Sequence, residues 1–162
     1  MKIGLVLAGG GGKGAYELGV WKALDELKLT KYITVFSGTS IGAFNSVLFA
    51  MNDMKKADEL WEEVTMDKLV PISKSELIKR GIGLYIGGKN LQLAKKFLNY
   101  KLEHGAIAND GAIEVVEKYL DFNKIKENNK ICYAACTKLS DFSAKYFKIN
   151  DFDEETGKKI VL

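Results

Sequence analysis

Apolar and polar positions alternate between two periods along the first third of the chain. Residues 3–8, Ile-Gly-Leu-Val-Leu-Ala, form a continuous apolar run. That pattern suits a central parallel strand buried on both faces. The glycine-rich stretch Gly9–Gly14 follows, and then Tyr16, Val20, Leu24 and Leu27 recur at helical spacing among Glu17, Lys22, Asp25 and Glu26. A second short run, 33–36, predicts a strand, and residues 41–51 are apolar and helix-compatible. This β-α-β-α opening predicts a mostly parallel sheet flanked by helices, an α/β fold. Met54, Ala57, Trp61 and Val64 mark a third helix, and Ile113, Val116 and Leu120 give residues 110–120 an apolar face. Strands are expected at about 131–137 and 144–149, and Asp153-Glu-Glu-Thr-Gly157 is a turn or helix-start signal.

Residues 73–104 are interrupted by Gly81, Gly83, Gly87 and Gly88. Lys89, Lys95, Lys96 and Lys101 crowd the same segment. It reads as a solvated helix face, or as a lid or membrane-contacting flap, since glycines permit hinging and lysines suit anionic headgroups. Neither an internal repeat nor a dividing linker stands out, so residues 1–162 read as a single domain. The chain stops within the apolar run Ile160-Val-Leu162, and the domain is expected to be incomplete at that end.

Composition narrows the class. The chain has 162 residues, 47% apolar and 28% charged, with one proline. That length allows a sizeable core, burying ~70% of the unfolded chain's surface, and the single proline with no long low-complexity tract argues against disorder. A net charge of +3 gives no reason to expect nucleic acid. Cys132 and Cys136 fall within one predicted strand. Four strand positions span ~13 Å, whereas a disulfide needs Cα atoms within about 7 Å. Both therefore read as small core residues, with no metal signature. Nothing demands an oxidising compartment, and no apolar stretch approaches the ~20 residues of a membrane-spanning helix. A cytoplasmic protein, free or at a membrane surface, is the expectation.

Candidate chemistry lies in the two glycine motifs. Gly38-Thr39-Ser40-Ile41-Gly42 sits between a predicted strand and a predicted helix. This is the pattern of a nucleophile elbow, with Ser40 at the tip and small residues two before and two after it. Gly9-Gly10-Gly11-Gly12-Lys13-Gly14 also fits a dinucleotide fingerprint, but the second strand ends Val35-Phe36-Ser37-Gly38 without the acid that would hold a ribose. It is no phosphate-binding P-loop, because Lys13 is followed by Gly14. The loop serves better as an oxyanion hole: backbone N–H groups of Gly9–Gly12, with that of Ile41, aimed at a developing negative oxygen. Lys13 adds positive charge beside it. A serine nucleophile needs a base. The one histidine, His104, lies in Lys101-Leu-Glu-His-Gly105, where a helix C-terminus explains it equally well, which leaves carboxylates as the main candidates.

Together these residues resemble the patatin-like phospholipase family. Gly9-Gly-Gly-Gly-Lys-Gly14-Ala-Tyr-Glu17 and Gly38-Thr-Ser-Ile-Gly42-Ala-Phe-Asn45 are similar to its first two motifs, and the likeness extends over essentially the whole chain. The resemblance implies a three-layer α/β/α fold and hydrolysis of lipid acyl esters, phospholipid among them, by a Ser-Asp dyad without metal or cofactor. Ser40 would be the nucleophile, and Gly9, Gly10, Gly11 and Gly12 the oxyanion hole. Lys13, Gly14, Gly38 and Gly42 complete the motifs. The family's third motif, Asp-Gly-Gly or Asp-Gly-Ala, carries the base. Asp110-Gly111-Ala112 fits it in letters, yet it precedes an amphipathic helix, where an N-cap aspartate is equally expected. The base is thus Asp110 or an aspartate outside this chain. Two other readings stay open: a catalytically inert association module, and an acyltransferase. Oligomeric state is not legible.

Overall fold

The computed structural model describes residues 1–64, 110–138 and 140–162, the side chain of Asp110 excepted. By its internal contacts the chain divides into two units, Met1–Val64 with Glu114–Leu162, and Thr65–Ile113. The first unit holds the sheet and the site. The expected lid segment 73–104, including His104, lies outside the described residues.

Among the described residues, four strands form one sheet in the order β1-β2-β3-β4: Ile3–Leu7 (β1), Ile33–Gly38 (β2), Ile131–Thr137 (β3) and Ala144–Lys148 (β4). β1 pairs with β2 and β2 with β3 in parallel; β3 and β4 form an antiparallel pair. The helices of the described residues are Gly14–Glu26 (α1), Ile41–Ala50 (α2), Met54–Glu63 (α3), Asp110–Tyr119 (α4), Phe122–Glu127 (α5) and Glu154–Val161 (α6). The predicted α/β class and every predicted element outside the undescribed segment are present.

Two details of the sequence reading are corrected. Among the described residues β1 lies at the edge of the sheet, with one face packed on helices and the other exposed at Val6. Register places Leu5, Phe36 and Cys132 in one row and Leu7, Gly38, Ala134 and Phe147 in the next, facing the helices. Val6, in the row that faces away, is 80% exposed. An apolar run states how much side chain could be buried, not which neighbours arrive to bury it. The inward face of α1 also differs from the spacing argument. Tyr16 is 76% exposed and Leu27 is exposed, while Gly14, Leu18 and Trp21 are buried. Trp21 sets this phase. Its ring stacks on Phe49 at a centroid distance of 5.1 Å and meets Phe36 edge-on at 5.6 Å. One such indole outweighs several smaller apolar residues in buried area.

The core is centred on α2. Residues 42–50 are all buried, as expected for a helix apolar on every side. It lies across β1, β2 and β3 and packs beside α1, α3 and α5. Its C-terminal carbonyls would be orphaned. Asn128, just after α5, donates from Nδ2 to the Ala50 oxygen at 3.2 Å and the Met51 oxygen at 2.7 Å. Cys132, fully buried, directs its Sγ at the Ser46 carbonyl oxygen, and burial pushes its thiol up to about 12. Cys136 is half-buried, and both thiols are free, consistent with the expectation of no disulfide between them.

Side-chain caps fix the shorter helices. Asp53 accepts the Lys56 N–H at 3.1 Å at the start of α3 and pairs with Lys124 of α5 at 3.1 Å. Asp153 accepts the Thr156 N–H at 2.8 Å at the start of α6, so the predicted helix-start signal is realised. The Lys56 N–H, followed by Lys124, holds the Asp53 carboxyl below its ordinary value of 3.8 despite some desolvation. A depressed carboxylate contributes its stability above the unfolded value and loses it as pH falls through the folded one. Asp53→Ala is expected to lower unfolding free energy by about 1 kcal/mol at pH 7, with the difference closing in strong acid; urea titrations at the two pH values check it. Trp21→Ala is expected to cost about 3–5 kcal/mol, measured the same way.

Candidate active site

The sharp reversal between β2 and α2 is built from close backbone contacts. A Cβ on Gly38 would drive into the carbonyl of Gly42, and one on Gly42 would lie 2.7 Å from the Leu7 carbonyl carbon and 2.8 Å from the Ala8 oxygen. These glycines are therefore steric requirements of the turn. Between them, Ser40 adopts φ 52° and ψ −129°, a conformation that costs a non-glycine residue about 1–3 kcal/mol.

Ser40 stands at the N-cap of α2 but does not cap it. Its side chain makes no capping hydrogen bond, and the residue is exposed. The first-turn donors are met by backbone instead: the Gly42 N–H donates to the Thr39 oxygen at 3.0 Å, and the Ala43 N–H to the Ser40 oxygen at 2.8 Å. Among the described residues the Ile41 N–H has no acceptor. A serine used only for structure would turn its hydroxyl onto these amides; this one leaves its hydroxyl at the surface beside the Ile41 amide and the positive end of a helix dipole.

The glycine loop reaches the same place. β1 and β2 run parallel, so both motifs emerge at one end of the sheet, and the Thr39 N–H donates to the Leu7 oxygen at 3.4 Å. A Cβ on Gly9 would touch Ser40 Cβ at 3.4 Å. Gly10, at φ 149°, and Gly11, at φ 55°, take backbone conformations that favour glycine. They turn the chain through a short 3-10 segment, Gly11–Lys13, into α1, closed by the Lys13 N–H on the Gly10 oxygen at 3.2 Å. Lys13 is exposed. Gly14 is small for another reason: a Cβ there would lie 2.7 Å from Ile41 Cγ1 and within the Trp61 ring. Ser40, Ile41, Gly9 and the loop that follows are thus assembled around one point.

Sequence reasoning assigned no role to Asn45, Glu17 and Trp61. Asn45 is fully buried. Its Nδ2 donates to the Gly14 carbonyl at 3.1 Å and to a Glu17 carboxylate oxygen at 2.8 Å, and its Oδ1 accepts the Trp61 Nε1–H at 3.1 Å. The available signal was an amide inside an otherwise apolar helix, since a buried amide has to find partners. The Asp110 and His104 side chains lie outside the described residues. Among the described residues no cluster of three or more His, Cys, Asp or Glu could hold a metal ion, and no helix is long and apolar enough to cross a membrane.

Comparison with known proteins bears on the family and the fold. The chain is 52% identical over 48 residues to the lysophospholipase nte1 of Aspergillus terreus, covering 30% of this chain and 3% of that protein. It is 48% identical over 50 residues to the lysophospholipase NTE1 of Kluyveromyces lactis, covering 31% and 3%. The chain thus spans a small fraction of the length of these relatives. In structure it resembles VipD from Legionella pneumophila, with a TM-score of 0.56 and 16% identity over 99% of this chain and 41% of that one. It also resembles the type III effector protein ExoU, with a TM-score of 0.51 and 19% identity over 99% and 39%. Residues 5–160 match the family described as patatin-like phospholipase. On that match over nearly the whole chain, the chain belongs to the patatin-like phospholipase family.

Proposed function

We propose that the protein hydrolyses lipid acyl esters with Ser40 as nucleophile. The observation that carries this reading is the strained, exposed Ser40, whose hydroxyl is withheld from capping α2 while the glycine loop and the Ile41 N–H converge beside it. In the proposed reaction Ser40 Oγ attacks the ester carbonyl carbon as its proton passes to an aspartate. The carbonyl oxygen becomes an oxyanion held by N–H groups of Gly9–Gly12 and Ile41. Collapse expels the alcohol and leaves an acyl-Ser40 ester, which water cleaves to the fatty acid and free serine. The dyad needs no metal or cofactor.

Lysophospholipase relatives and family membership support a lipid substrate. Such substrates reside in membranes or micelles, so productive encounter involves contact at a lipid surface. Asp110 opens α4, where an acidic residue favours a helix start; we assign it that structural duty and place the base at another aspartate.

A fluorophosphonate probe is expected to label Ser40, and Ser40→Ala to lower turnover of fatty-acyl esters by about a thousandfold or more. Undiminished turnover in Ser40→Ala would rule the mechanism out. Asp110→Asn is expected to keep hydrolysis within about threefold while costing about 0.3–1 kcal/mol of helix stability, through loss of the negative charge at the helix start. A loss on the scale of Ser40→Ala would instead make Asp110 the base. Esterase assays read alongside thermal unfolding separate the two.

A further inference from the structure

The geometry points to Asn45, held by Glu17 and Trp61, as a positioning residue that sets the distance between the glycine loop and Ser40. The inference rests on the reading of Ser40 as nucleophile. The proposed oxyanion donors come from two separate pieces of chain. The loop amides precede α1, and the Ile41 amide begins α2. Nothing covalent near the site links the two, and the hydroxyl between them makes no capping bond. Backbone contacts of Gly42 with Leu7 and Ala8 join them on the β1 side, and a seam one turn behind joins them on the α1 side. Asn45 lies four residues after Ile41 on α2, so both face the same neighbour. Ile41 packs against Gly14, the residue that ends the glycine loop, and Asn45 takes the Gly14 carbonyl at 3.1 Å. Both hydrogens of the Asn45 amide are used on α1, the second on Glu17 at 2.8 Å.

Trp61 closes the arrangement from α3. Its indole N–H donates to Asn45 Oδ1 at 3.1 Å, while its ring fills the space left by the missing Gly14 side chain. The amide therefore cannot rotate or flip without breaking three hydrogen bonds. All the partners of this buried amide are fixed, and it binds the end of one half of the anion pocket to the helix carrying the other half. Catalytic rate depends steeply on such spacing, because donors must meet the oxyanion where it forms. Glu17 is half-buried, so it can be changed without opening the core.

The test compares Glu17→Ala, Glu17→Gln and Trp61→Phe in the full protein, using p-nitrophenyl butyrate turnover and fluorophosphonate labelling of Ser40. Glutamine retains an acceptor for the Asn45 amide; alanine does not. Glu17→Ala is expected to lower kcat and the labelling rate about tenfold with KM within about twofold, Glu17→Gln to restore both to within about threefold, and Trp61→Phe to behave like Glu17→Ala. Wild-type kcat per labelled serine in Glu17→Ala would overturn the inference, as would Glu17→Gln being as impaired as Glu17→Ala. So would losses matched by lost folded protein in thermal unfolding. No labelling of Ser40 in the unsubstituted protein would overturn the nucleophile reading and this inference with it, an outcome visible before any variant is made.

Discussion

Three stretches of backbone meet at the end of β1, the end of β2 and the start of α2, closer than any side chain allows. Gly38 sits on the Gly42 carbonyl, and Gly42 on the carbonyls of Leu7 and Ala8. This contact fixes the entry angle of α2, holds Ser40 in its strained conformation and draws the glycine loop alongside. The cost of the strained residue, about 1–3 kcal/mol, is offset by the burial of α2 behind it. A helix with every residue from 42 to 50 buried cannot swing out to relax one turn.

The site inherits rigidity from a core that is largely aliphatic and aromatic, with few polar residues placed deliberately. Asn45 and Ser46 are both buried in α2, and both are satisfied: Ser46 Oγ donates back to the Gly42 carbonyl at 2.8 Å, and Asn45 reaches two other helices. Among the described residues no buried side-chain nitrogen or oxygen lacks a partner. Polar groups in such an interior specify geometry more than they add stability. Through Asn45, the geometry so specified is the relation between α1, α2 and α3.

Ser40 and its glycines were legible because their constraint is local. A turn this tight admits only small residues two positions to either side, and an apolar strand and helix must flank it, so the spacing together with its flanks marks them as candidates. Strand and helix positions were legible for the same reason, since periodicity is a property of neighbouring residues. Asn45 was present in the same motif but carried no readable role. Its partners lie 31, 28 and 16 residues away, and no local pattern encodes a pairing across such separations. The phase of α1 was missed likewise: residue-by-residue hydrophobicity favoured Tyr16 and Leu27, whereas a niche between Phe36 and Phe49 decided for Trp21.

By itself, the sequence determined the order of elements, the α/β class and the two glycine motifs, because each follows from short-range sterics and period. Tertiary structure alone decided that Val6 of β1 faces outward, that the Ser40 hydroxyl is spared from capping, and that Asn45 ties the end of the glycine loop to the serine helix. Each of these depends on which distant segment arrives as a neighbour. That choice is settled by packing and hydrogen-bond satisfaction over the whole unit.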